Sequence, residues 1–444
     1  WRTGDLVEAR TRAEDALARY TAVGAGAIQL STAHFLRARV RRDGGDVDGA
    51  LADYAAAIDG LERHRAVVGG DDDIRARWAA QYQDYYKEPM LLRARRGDAA
   101  GAAALERRYR AQLLRRLLAA PDDAPDAWAA QDDPGQALGA DQALVSFVVA
   151  TDAVLAFTWR ADDRAPRVDL LASPAADLGA RVDRLRLLSA RAGAAQDTVA
   201  AFDAQSLELY RLLFVPLLPA IDDAPRWILV TDGALRRLPF AALATREGAQ
   251  PTRLIEARTL AFAPSPAVYA HAVPRPDAAT AVVGFADVDP ALAPAPDPTR
   301  HADLSTPLPG ARREVEALAD LHGERARGYL GADATEARAR EQAPSAAILH
   351  FAVHGVLDAR DPARSFLALA RGAGGSDDDG RLSAAEIATL ELPGTLVVLS
   401  SCDSALGDDA GGEGLLGMWR TLGAAGASSV LGTLWRVPDA PTAR

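Results

Sequence analysis

A chain of 444 residues with a single cysteine, Cys402, can hold no internal disulfide. That fits a reducing compartment and points to the cytoplasm. No uninterrupted apolar stretch approaches the 18 or more residues of a membrane span. The opening WRTGDLVEAR carries acids early and has no hydrophobic signal core. Lysine is nearly missing: Lys87 is the single one among 50 basic residues, which together with abundant Ala, Gly and Pro reads as a GC-rich bacterial genome rather than a property of the fold. An excess of positive charge is also absent. The net charge of −11 disfavours the nucleic-acid backbone and anionic membranes as primary partners, although Arg107 to Arg116 forms a local basic patch. Residues 137–270 contain neither cysteine nor histidine and offer no chemistry of that kind.

What is present suffices for about three domains, and 49% apolar residues supply several cores. Gly4-Asp5, Gly45-Asp46 and Gly97-Asp98 each precede an alanine-rich amphipathic segment, at offsets of 41 and 52 residues. These spacings exceed the 34 of an ideal tetratricopeptide repeat, so residues 1–119 read as irregular helical repeats or as a plain helical bundle. Ala38, Tyr54 and Ala57 supply the small and aromatic positions that let paired helices approach. Stacked pairs would offer a concave surface to a partner. A Pro/Asp-rich stretch, 120–136, reads as a linker. The apolar segments ALVSFVVA and AVLAFTWR around Thr151-Asp152 predict a hairpin. Helical sequence from Asp177 to Leu213 and the strand WILVTDG follow, within a unit drawn at 137–270. From 271 to 444 strands alternate with helices (TAVVGFAD, REVEALADLHG, AAILHFAVHG, SAAEIATL, TLVVLSS, then GLLGMWRTLGAAGA and SSVLGTLW), which predicts a parallel sheet covered on both faces.

Cys402 ends the apolar run TLVVLSS just before the glycine-rich, acidic DSALGDDAGGEG. His354 ends AAILHFAVHG and precedes Gly355. In an open α/β sheet parallel strands bring such positions together at their carboxyl edge. A thiol with no disulfide partner at that place is a candidate nucleophile, with His354 as its base. The plainer reading of a lone cysteine is a small buried hydrophobe. His350 and His354, four apart, would suit a metal on a helix face. However, the run is β-branched and aromatic, and HFAVH lacks a zincin glutamate, so no metal is expected and His350 is assigned a packing or hydrogen-bonding role. GGEGLLG lacks the Lys-Ser/Thr of a phosphate loop, and Gly411, Gly412 and Gly414 read as loop glycines.

The segments ILHFAVHGVLD and LVVLSSCDSALGDDAGGEGLLGMWRTLGAAGASSVLGTLWRVPD resemble the two catalytic blocks of CHAT proteases, caspase-like and separase-like cysteine peptidases often fused to tetratricopeptide repeats. DGALRRLPFAAL, APSPAVY, LPGARREVEAL and ATEARAREQAPSAAILHFAVHG are similar to the family's other blocks, in order, from near Leu138 onward. The resemblance implies a caspase-like α/β fold, with a non-catalytic half at 137–270 and a catalytic half at 271–444, behind the helical repeats. It also implies a Cys402/His354 dyad that cleaves a protein substrate without a cofactor, and an oxyanion hole from the backbone amides of Gly355 and Cys402. An activator or partner protein would dock on the repeats. Where the family commonly shows Ala-Cys-Glu-Thr-Gly, this chain has Ser401, then Asp403, Ser404 and Ala405 after the cysteine, which puts the pocket shape at issue. Asp403, Asp408, Asp409 and Glu413 suit either a pocket for a cationic P1 residue, Arg or Lys, or a solvated loop. A catalytically silent scaffold and an amidase for small substrates are the competing functions. Because the chain starts at Trp1 and stops at Arg444 inside PDAPTAR, it is expected to be a fragment at both ends.

Overall fold

A computed structural model of the chain describes residues 6–65, 78–110, 134–171, 173–189, 196–248, 251–270, 281–289, 291–294, 304, 306–356, 364–372, 378–400, 408–409, 415–416, 418–434 and 439. The N-terminal part is helical: α1 (Leu6–Ala22), α2 (Ala27–Asp43), α3 (Val47–Arg65), α4 (Asp84–Arg95) and α5 (Ala99–Tyr109). Ala38, Ala50, Ala57 and Ala102 are fully buried, and their small side chains let the helices lie close. Two of the Gly-Asp turns share one geometry. Gly45 and Gly97 take φ of 84° and 77°, the left-handed conformation that closes a helix. The Asp46 and Asp98 amides return to the carbonyls of Arg41 and Arg93 at 2.9 and 3.0 Å. Their carboxylates then cap the next helix by accepting the amides of Gly49 and Gly101 at 3.0 and 2.9 Å. The repeat is therefore longer than a Gly-Asp pair: Arg stands five residues before each Asp, and Gly three after. Gly4-Asp5 lies outside the described residues.

The first sheet has the order β3-β2-β1-β4-β5, built from β1 (Gln142–Val149), β2 (Val154–Arg160), β3 (Arg167–Leu171), β4 (Arg226–Val230) and β5 (Thr259–Phe262). β1 and β2 form the predicted antiparallel hairpin, closing at Val149 opposite Val154, while β1, β4 and β5 run parallel. Alternation along β1 divides two cores. Ala143, Val145 and Phe147 pack with α6 (Ala175–Ser189) and α7 (Gln196–Leu213), the two helices into which the predicted helical stretch divides. Leu144 and Val148, with Phe157, Trp159, Ile228 and Val230, share a core with Phe35, Tyr54, Tyr86, Met90 and Tyr109 of the N-terminal helices. The helical segment thus covers one face of this sheet. Burial on both faces explains why these strands read as continuous apolar runs.

The second sheet, β15-β12-β8-β6-β7, is parallel throughout. In chain order it comprises β6 (Ala281–Ala286), α8 (Pro309–His322), β7 (Ala326–Leu330), α9 (Glu336–Gln342) and β8 (Ala346–Ala352). A side sheet of β9 (Gly355–Val356), β10 (Phe366–Ala368) and β11 (Arg381–Ser383) leads to α10 (Ala384–Ile387) and β12 (Leu396–Leu399). Next come the paired two-residue strands β13 (Asp408–Asp409) and β14 (Leu415–Leu416), then α11 (Met418–Ala424) and β15 (Ser429–Gly432). Val315 of α8 packs on one face of this sheet, and Ala339, Ile387 and Leu422 of the other helices on the opposite face. The helix predicted over SAAEIATL is a single turn, closed by a capping box between Ser383 and Glu386.

Candidate active site

β8 and β12 are parallel neighbours, with Leu399 in register with Phe351, and the Ser400 amide donates to the Phe351 carbonyl at 2.9 Å. His354 follows β8 at its carboxyl end. Its backbone is held from both directions, because its carbonyl accepts the Ala368 amide at 2.8 Å and Gly355 starts β9, paired with Leu367. The ring is partly exposed, and Nε2 lies 2.9 Å from the Thr306 carbonyl. A carbonyl only accepts, so Nε2 carries the hydrogen and the neutral ring keeps its lone pair on Nδ1. Cys402, Asp403 and Glu413 lie outside the described residues, as do Gly411, Gly412 and Gly414. Of the acidic loop, the backbone of Asp408 and Asp409 pairs with β14.

His350 has a different task. It is buried on β8, and its Nε2 meets Oε2 of Glu314 on α8 at 3.0 Å. That reach depends on a notch in the sheet. Gly284 of β6 is in register with both Gly328 of β7 and His350, and a Cβ on either glycine would come within 3 Å of the Val315 methyls. The two glycines therefore admit Val315, α8 settles close to the strands, and Glu314 is brought to His350. Because both histidines belong to a strand and its exit, they share no helix face, which was the premise of a metal pair. Among the described residues no group of three or more His, Cys, Asp or Glu side chains could hold a metal ion. Sequence reasoning missed Thr306 and Glu314. Thr306 acts through its main chain, which no side chain advertises, whereas Glu314 belonged to the quoted block LPGARREVEAL.

The carboxyl edge of the first sheet holds a charged cluster that was also missed. Asp232, two residues beyond β4, is fully buried. It receives Lys87 Nζ at 2.8 Å, Arg236 Nη2 at 3.1 Å, the Tyr109 hydroxyl at 3.0 Å and the Val149 amide at 2.9 Å. Burial alone would raise its pKa, but Lys87, Arg110 and Arg236 outweigh that and hold it well below the usual carboxylate range. Arg110 donates to the Thr231 carbonyl at 2.7 Å and to the Phe147 carbonyl, and pairs with Glu106 at 3.3 Å. Complete burial pushes Glu106 upward despite Arg110. The cluster's members were in view separately, Lys87 as the single lysine, Asp232 and Arg236 in the quoted block DGALRRLPFAAL and Arg110 in the basic patch, but nothing in the sequence joined them.

Two sheets with helices on their faces, and a histidine where a parallel strand leaves the second sheet, define an α/β protein of the caspase-like kind behind an all-helical segment. A CHAT domain model matches residues 203–444, more than half of the chain, and the protein belongs to the CHAT-domain family. That family is related to the caspase-like cysteine peptidases. The match begins inside α7, although β1, which precedes it, pairs with β4 within it. No curated protein matches the chain in sequence. Among the described residues no helix is long and apolar enough to cross a membrane.

Proposed function

We propose that the chain is a cysteine endopeptidase in which Cys402 attacks a peptide carbonyl and His354 moves the proton. The observation that carries this reading is the edge of β8 and β12. His354 is the third residue beyond Phe351, its Nε2 committed to the Thr306 carbonyl, and Cys402 is the third beyond the registered partner Leu399. An imidazole whose Nδ1 holds the lone pair can take the thiol proton, which matters because a free cysteine is mostly protonated at neutral pH. It then gives that proton to the leaving amine. The amides of Gly355 and Cys402 would stabilise the oxyanion, glycine letting the substrate approach the backbone. Asp403 and the acids after it would line the P1 pocket. The chemistry requires no cofactor, and the cytoplasm is the proposed compartment.

Residues 1–119, proposed as tetratricopeptide-like repeats ahead of a linker at 120–136 and halves at 137–270 and 271–444, would receive an activator protein. Because α4 and α5 share a core with the first sheet, that signal would travel through packed structure. The test is cleavage of a generic protein substrate, with and without candidate partners, by the parent and by Cys402→Ala. The variant should lose activity and keep its melting temperature. Cleavage at the parent rate would overturn the assignment. Slow alkylation of Cys402, identical in the parent and in His354→Ala, would favour a silent scaffold.

A further inference from the structure

The Thr306 carbonyl that fixes His354 is joined to the start of α8 by only Pro307 and Leu308, and α8 opens on Pro309. Two prolines with restricted φ make this connection stiff, so the place of the carbonyl follows the place of the first helical turn. That turn has no cap of its own: Leu308 stands at the N-cap and its side chain accepts nothing. The cap comes from 129 residues away, where Asp439 Oδ2 accepts the Gly310 amide at 2.6 Å and Oδ1 the Ala311 amide at 3.0 Å. These are the amides of the second and third helical residues, the pair that a local Ser or Asp would take. Gly310 is fitted to this approach, since a Cβ there would lie 2.4 Å from the Asp439 carbonyl oxygen.

We infer that Asp439 is a positioning residue for His354, acting through the first turn of α8 and the Thr306 carbonyl. The inference rests on the peptidase reading for its kinetic consequence, but not for its structural one. The test uses the whole chain with Asp439→Ala, Asp439→Asn and, as a comparison, Asp98→Ala, which removes the same kind of cap from distant α5. Imidazole nitrogen NMR of His354 reports its tautomer, and kcat, KM and the melt are measured beside it. Asp439→Ala should turn the single Nε2–H tautomer into a mixture and lower kcat about 10- to 100-fold with little change in KM. Asp439→Asn, which still accepts one amide, should recover most of both and stands in if the alanine variant does not fold. Asp98→Ala should lower the melt alone. An unchanged His354 tautomer in folded Asp439→Ala, or an equal fall of kcat in Asp98→Ala, would overturn the inference. A parent without activity whose tautomer still responds to Asp439→Ala would sink the peptidase reading and leave the positioning role standing.

Discussion

Each sheet has a parallel strand whose carboxyl end is followed within two residues by an ionisable side chain, and the two ends are finished in opposite ways. Beyond β4, Asp232 is sealed from water and receives Lys87, Arg236, Tyr109 and a main-chain amide. Beyond β8, His354 is partly exposed and its Nε2 is engaged by the Thr306 carbonyl. A buried charge is tolerated only when its hydrogen-bonding capacity is filled, whereas the proton transfer proposed for His354 would need capacity left for substrate. The N-terminal helices account for the difference at the first edge: α4 contributes Lys87, and α5 contributes Tyr109 and Glu106. One edge of the fold is used to bolt the helical segment down, and the other is left accessible.

The comparison breaks first at Asp232. Asp232→Ala takes the buried counter-charge away from Lys87 and Arg236 and should cost about 3–5 kcal/mol of stability. Thermal or denaturant unfolding measures it, and specific activity per folded molecule should hold. A loss of turnover without a loss of stability would mean that this edge takes part in chemistry. At the other edge, His354→Ala should lower turnover roughly 100-fold with a nearly unchanged melt. His350→Ala should do the reverse, because it unpairs Glu314 on α8. Equal kinetic losses from the two, in well-folded protein, would count against this division of tasks.

Lys87→Met is milder than Asp232→Ala, because Asp232 keeps Arg236, Tyr109 and the Val149 amide. About 1–3 kcal/mol is expected for one lost partner, and a neutral result would show that the lysine can be replaced by apolar packing.

The smallest effect concerns Glu336 on α9. Burial first, and then nearby Glu386, push its carboxyl up to about 7, from an ordinary 4.5. A carboxyl raised on folding binds its proton more tightly in the folded state, so its contribution is full below about pH 4.5 and is lost as pH rises through about 7. Glu336→Gln should therefore flatten the melt-versus-pH curve over that window and gain about 1 kcal/mol on the parent by pH 8. A curve parallel to the parent's would show that Arg340, 3.0 Å from Glu336, already keeps the carboxylate ionised.

The amino-acid sequence alone was enough to mark the alternating strands and helices, the hairpin at Thr151-Asp152, the Gly-Asp helix junctions, and His354 with Gly355 at a strand exit. Each of these depends on side-chain period or on the backbone demands of Gly, Asp and Pro within a few residues. The tertiary structure alone decided which face of the first sheet the N-terminal helices cover, since a strand buried on both faces shows no alternation to say which partner lies where. It alone brought Tyr109 to Asp232 across 123 residues and Asp439 to Gly310 across 129, because pairing at such separations follows from packing, not from local pattern. Thr306 was the least legible: its carbonyl is what holds His354, and every residue has one.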